Sequence, residues 1–182
     1  LRIQYDSAEA ITLGKSIMEF VSEEADKASA DLAKSRGVFP NFSQSVYRYG
    51  TPLRNASRTA LSPTGSISLI ADCSSATDPA FALCYSRKVL GKDMLIVNDT
   101  FKKALESRGL DSEELLGQVA SVVSIQKMDS IPEDVNDVFK VQFDVTPECQ
   151  VRMQGAWQEF NDGAISKTIN FPSWATTRDV EE

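Results

Sequence analysis

RNASRTALSPTGSISLIADCSSATDPAFALCYSRKVL, residues 54–90, is the stretch on which the fold is read. At its centre Pro63-Thr64-Gly65-Ser66-Ile67-Ser68 places a rigid residue, a glycine and several hydroxyls between a short β-type run, Arg58 to Leu61, and an apolar run of Ile67, Leu69, Ile70 and Ala71. That order predicts strand, loop and short helix, followed by the turn-prone CSSATDP of residues 73–79. Such a junction can hold an anion. Gly65 lets the backbone come close to a ligand, while N–H groups at the helix start and the hydroxyls of Thr64, Ser66 and Ser68 can donate to phosphate oxygens. The same residue types also make ordinary caps and turns, and the Gly-Lys-Ser/Thr ending of a Walker loop is missing.

Upstream, Asp6 with Glu9 makes a capping-box-like start. Ala10, Ile17, Val21, Ala25, Ala28 and Leu32 then recur at helical spacing, predicting one long amphipathic helix that ends at Gly37. VFPNFSQSVYRYGTP, residues 38–52, has neither period and reads as an ordered loop with packed aromatics. Downstream, short surface helices are expected from Asn98 or Asp99 to Gly109 and, capped by Asp111 with Glu114, to about Val123. Thr146-Pro147-Glu148 starts another, with Met153, Ala156, Trp157 and Phe160 on its buried face. AISKTINFP, residues 164–172, alternates Ile165, Lys167, Ile169 and Phe171 against Ser166, Thr168 and Asn170, the pattern of a strand. With no internal repeat and no Gly/Ser linker, residues 1–182 read as a single unit.

Composition narrows the chemistry. Lys plus Arg number 19 against 26 Asp plus Glu, a net charge of −7, so there is no basic field to draw a nucleic-acid polymer. The chain has no His, which excludes a Ser-His-Asp triad and His-ligated zinc. Cys73, Cys84 and Cys149 are odd in number and widely spaced, which fits a reducing cytoplasm and disfavours a disulfide framework or a metal site. No apolar run reaches the roughly 20 residues that span a bilayer, and LRIQYDSAEA lacks the pattern of a signal peptide, so no membrane partner is expected. The absence of an initial Met is read as the mark of a fragment.

The block at 54–90 resembles the RNA…PTGTIS…CSSGIEP block of class II ribonucleotide reductases. ASADLAKSRGVFPNF, the RKVL segment and VRMQGAWQEFNDGAISKTINFP match other stretches of that family in the same order. The resemblance implies an α/β fold, here part of a ten-stranded α/β barrel with its late strands and helices only. It implies an enzyme that uses adenosylcobalamin and a thiyl radical to remove the 2′-hydroxyl of a ribonucleotide. The family's PTGTIS loop cradles the substrate phosphates, which assigns Pro63, Thr64, Gly65, Ser66, Ile67 and Ser68 to that role.

The family's Asn-Leu-Cys loop and redox cysteine pair do not occur here, so no catalytic residue is assigned, and Cys73, Cys84 and Cys149 are each expected to be small core residues. Glu182 also falls before the Cys-containing tail that usually follows TINFP in the family. The implied partners are a ribonucleotide, a complementary segment carrying the radical cysteine, and a thiol reductant such as thioredoxin. The cobalamin site is expected largely outside this chain. A sector of a closed barrel leaves strand edges and apolar surface uncovered, which predicts a partner or a homo-oligomer. The alternative is a non-catalytic interaction or regulatory module derived from the same fold. Departures from the family pattern are Asp72, Ala76, Thr77 and Asp78 in DCSSATDP, and Gln150 where a His is common. Ala76 puts a β-carbon where the family has Gly, which leaves the local backbone open. Lys88, Lys92, Lys102 and Lys103 read as a solvated face, and Asp129, Glu133, Asp134 and Asp137 as a surface acidic loop.

Overall fold

The computed structural model describes residues 1–71, 73–89, 92–171 and 174–181. In chain order these form α1 (Ala8–Arg36), a 3-10 turn (Phe42–Gln44), α2 (Gly65–Ala71), β1 (Cys84–Val89), β2 (Lys92–Val97), α3 (Asp99–Glu106), α4 (Glu113–Ser121), α5 (Glu133–Val138), a second 3-10 turn (Gln142–Asp144), α6 (Pro147–Gln158) and α7 (Thr177–Glu181). Two units emerge: Leu1–Ala10 with Thr64–Val151 and Thr168–Glu182, and Ile11–Pro63 with Arg152–Lys167.

The cap of α1 is Ser7, whose hydroxyl accepts from Ala10 N at 3.0 Å, and not Asp6, which pairs with Lys140 at 2.7 Å. Gly37, at φ +74, closes the helix with its N–H on Ala33 O at 2.9 Å. In the second unit the buried face of α1 is Gly14, Met18, Ser29 and Ala33, whereas Ile17, Phe20, Val21 and Leu32 of the expected apolar side lie exposed. Both stripes have helical spacing. The small residues are the ones that let a neighbour approach: a β-carbon on Gly14 would sit 2.7 Å from Trp157 Nε1. In the loop at 38–52, Phe39 is buried edge-to-face against Phe42 and Tyr47, while Tyr49 is exposed.

Neither strand expected for this unit forms. Arg58 to Leu61 is irregular and is held by the Asp162 carboxylate, which accepts from Arg58 N at 2.6 Å and from Arg58 Nη2 at 3.1 Å. Thr59 completes the clasp, its Oγ1 accepting from Asp162 N at 2.9 Å and its carbonyl from Gly163 N at 3.1 Å. Residues 164–171 are likewise irregular; Pro172, the last of the expected strand, lies outside the described residues. Their burial still alternates as the pattern predicts, with Ile165 buried between exposed Ala164 and Ser166. What replaces the ladder is glutamine: Gln154 Nε2 donates to Ile165 O at 2.6 Å, and Ile165 N donates to Gln158 Oε1 at 2.9 Å.

The first unit is built on a hairpin. β1 and β2 pair antiparallel from Cys84↔Val97 to Val89↔Lys92, and an isolated parallel bridge joins Ala80 to Val141. Asn98 caps α3 by accepting from Phe101 N at 3.0 Å, and Ser112, not the expected Asp111, caps α4 by accepting from Leu115 N at 3.2 Å. These are surface helices with one face in the core: Phe101 and Leu105 are wholly buried, and Leu115, Leu116 and Val119 join them against Leu83, Ile125 and Val135, while Lys102, Lys103, Glu113 and Glu114 lie exposed. The acidic stretch forms α5, with Val135 buried and Asp134 paired with Arg108.

Candidate functional site

Thr64 to Ser68 lie in the first unit, at and just before the start of α2, with exposed Pro63 preceding them. Thr64 holds a left-handed backbone, φ +50, unusual for a β-branched residue. Its Oγ1 accepts from Ala76 N at 3.0 Å, which leaves the hydroxyl proton available to an external acceptor. A β-carbon on Gly65 would meet nothing within 4 Å, so neither packing nor a positive φ within the chain calls for glycine there. Ser66 and Ile67 are exposed, and the opening N–H groups of a helix have no acceptor within it. Ser68 differs from its neighbours. It is buried, and its hydroxyl donates to Gly65 O at 3.1 Å, so it braces the turn.

Behind the loop, Ala76 is also left-handed, φ +44, so the turn keeps that backbone despite its β-carbon. Asp72 lies outside the described residues. Tyr5, which sequence reasoning passed over, donates its hydroxyl to Thr77 O at 2.6 Å. Burial raises the Tyr5 phenol above its ordinary range, with the neighbouring Asp78 and Cys149 adding to the shift, so it stays a donor.

All three cysteines are free; Cys84 and Cys149 are buried as expected, but Cys73 is exposed and is not a core residue. Burial pushes the Cys84 thiol up, disfavouring the thiolate. Among the described residues no three His, Cys, Asp or Glu side chains come together to hold a metal. Gln150, fully buried, donates to Gln142 O at 3.2 Å and Val145 O at 3.0 Å, so an amide fills the position where the resemblance led one to expect His. The signal for the glutamine set was the spacing of Gln150, Gln154 and Gln158, one helical turn apart.

The family described as "Ribonucleotide reductase, barrel domain" matches residues 1–52 and 48–182. The vitamin B12-dependent ribonucleoside-diphosphate reductase of Thermoplasma acidophilum is 41% identical over 182 residues, covering 99% of this chain and 24% of that protein. The like-named protein of Mycobacterium tuberculosis is 37% identical over 180 residues, covering 99% and 26%. The chain therefore spans about a quarter of the length of these curated relatives. Among solved structures, the class Id ribonucleotide reductase alpha subunit of Actinobacillus ureae superposes with a TM-score of 0.73 at 24% identity, over 88% of this chain and 28% of that one, a likeness of fold. The mixed helices and hairpin are thus part of a reductase-type α/β barrel, and the chain belongs to the ribonucleotide reductase barrel-domain family.

Proposed function

We propose that this chain supplies the substrate-phosphate loop, Pro63 to Ser68, to the catalytic subunit of a class II ribonucleotide reductase. The observation that carries the reading is the open space over Gly65 at the start of α2, where a β-carbon meets nothing within 4 Å among the described residues. Backbone N–H groups, the Thr64 hydroxyl proton and the exposed Ser66 hydroxyl face phosphate oxygens there, with the helix dipole adding to the attraction. Residues 1–182 act as one unit, completed by a segment that carries the radical cysteine. Exposed Ile67, Ile70 and Phe81 in one unit and Phe20 and Val21 in the other supply apolar surface for that segment or for a second copy of the chain. In the complete enzyme the 2′-hydroxyl leaves as water, and the two electrons come from a dithiol such as that of thioredoxin.

Adenosylcobalamin would supply the radical. The donors in this loop are hydroxyls and amides suited to phosphate and not to cobalt, so no residue here is assigned to that cofactor. The free thiols suit a reducing cytoplasm, and none of the described helices is long and apolar enough to cross a membrane.

The test is titration of the assembled enzyme with a ribonucleoside diphosphate and, separately, a triphosphate. A β-carbon at Gly65 meets nothing within 4 Å among the described residues, so Gly65→Val should fold while its side chain blocks the phosphates and abolishes binding. Ser66→Ala removes one hydroxyl and should weaken affinity several-fold, by about 1 kcal/mol. A folded Gly65→Val enzyme that binds as tightly as the parent would make the loop purely structural.

A further inference from the structure

Thr64 and Ala76 are the two non-glycine residues of the 64–77 segment with positive φ among those described, and a single hydrogen bond, Ala76 N to Thr64 Oγ1 at 3.0 Å, ties them together. Residues in such conformations persist only where their surroundings over-determine them. Glycine at position 76 would adopt this backbone freely; alanine must be held in it. The hold on one side is Thr64. On the other it is the following residue, Thr77, whose carbonyl oxygen accepts the Tyr5 hydroxyl at 2.6 Å and so fixes the chain one peptide beyond Ala76. Tyr5 lies 72 residues away in sequence, just ahead of α1, so this tether is not an accident of local chain geometry.

We propose that Tyr5 is a positioning residue for the substrate-phosphate loop: its hydroxyl fixes the Thr77 carbonyl, one residue past Ala76, and through the Ala76 N–H keeps Thr64 in the conformation that turns the loop toward the phosphates. The inference rests on the reading of residues 63–68 as the phosphate site. Tyr5 touches no substrate in this arrangement. Its contribution is to the shape of the loop before the nucleotide arrives, so it governs affinity more than the chemical step.

The experiment compares Tyr5→Phe with Gly65→Val in the complete reductase, reading KM for a ribonucleoside diphosphate, kcat, and amide exchange at Ala76. Tyr5→Phe keeps the ring and removes one donated hydrogen bond. The expected result is a KM raised about five-fold with kcat changed less than about two-fold, and faster exchange of the Ala76 N–H. If Gly65→Val abolishes binding while Tyr5→Phe leaves KM and Ala76 exchange at parent values, or lowers kcat alone, the role of Tyr5 is overturned and the phosphate site stands. If folded Gly65→Val binds like the parent, the site reading fails and the Tyr5 inference falls with it. Should Tyr5→Phe not fold, the comparison moves to an Ala76→Gly background, where glycine relieves the left-handed conformation. There a KM unchanged by Tyr5→Phe overturns the proposal, and a rise of about two-fold supports it.

Discussion

Gly14→Ala separates two effects that normally travel together. In an exposed helix interior, replacing Gly with Ala stabilises by about 1 kcal/mol, because alanine has less backbone freedom to lose. At Gly14 the new β-carbon would lie 2.7 Å from Trp157 Nε1, 3.2 Å from Trp157 Cε2 and 3.3 Å from Met153 Sδ. The first of these is below any ordinary contact, and the atom it meets belongs to a rigid indole, so the ring or the helix must move. Overpacking of that kind costs about 1 to 3 kcal/mol. The net expectation is a protein destabilised by about 1 kcal/mol. Gly155→Ala and Gly117→Ala are the controls, since a β-carbon at either meets nothing within 4 Å. Both should stabilise, so the same chemical change should differ by about 2 kcal/mol between sites, about 1 M in the urea midpoint for a typical m-value. Trp157→Phe in the Gly14→Ala background removes the crowded nitrogen and should recover part of the loss, giving a coupling of about 1 kcal/mol in the double-mutant cycle. If Gly14→Ala stabilises as much as Gly155→Ala does, the close approach of α1 and Trp157 is wrong.

Asp162→Ala removes the carboxylate that holds Arg58 and Thr59, leaving the buried Arg58 guanidinium to Asp26 and Tyr47. A loss of about 2 to 3 kcal/mol is expected, and about half that for Asp162→Asn, measured by urea unfolding; equal stability of all three proteins would show the clasp to be idle. Tyr5 sets an alkaline limit. Its folded-state pKa lies above the ordinary 10.0, so the unfolded chain gives up that proton first, and the associated stability is whole below pH 10.0 and declines as pH rises beyond it. Between about pH 10 and pH 11 the parent should therefore lose more stability than Tyr5→Phe, and parallel losses would contradict the burial of the phenol.

Several helix ends were legible because they are local: Asn98 caps α3, Pro147 opens α6 and Gly37 ends α1, whereas the caps of α1 and α4 lie one residue past the expected Asp6 and Asp111, at Ser7 and Ser112. The buried face of α1 was not legible. Ile17, Val21 and Leu32 outrank Gly14, Ser29 and Ala33 on any hydrophobic scale, yet closeness of approach favours the small residues once Trp157 is opposite. The β1–β2 hairpin was missed because the sequence between Val89 and Lys92 carries no Asn-Gly or Asp-Gly signature. The expected strand at 164–172 shows the opposite failure. Alternation reports which side chains face inward, and Ile165 does, but a ladder also needs a neighbouring backbone, and glutamine side chains fill that role here. At the site, the residue types of the loop were legible and their division of labour was not, since Tyr5 reaches Thr77 from 72 positions away.

The way the loop is held bears on how it would recognise a nucleotide. From Thr59 to Ser86 the chain carries no Lys or Arg, so the segment has no point charge with which to draw a phosphate. Its donors are neutral, and neutral hydrogen bonds are individually weak against water, so their number and aim must supply the affinity. Aim requires a backbone fixed beforehand. The structure provides this inside one unit: Thr64 with Ala76, Ser68 with Gly65, Cys73 N on Ser68 O at 3.1 Å, and Tyr5 with Thr77. Strain at Thr64 and Ala76 is tolerable because these bonds restrain both residues at once. A loop that relied on Lys could remain mobile and still attract an anion; one that relies on N–H and O–H groups cannot. For the proposed phosphate loop, the lack of Lys and Arg in this segment and the two tethered left-handed residues would therefore be two sides of the same arrangement, in which shape would take over the part that charge plays in a Lys-containing phosphate loop.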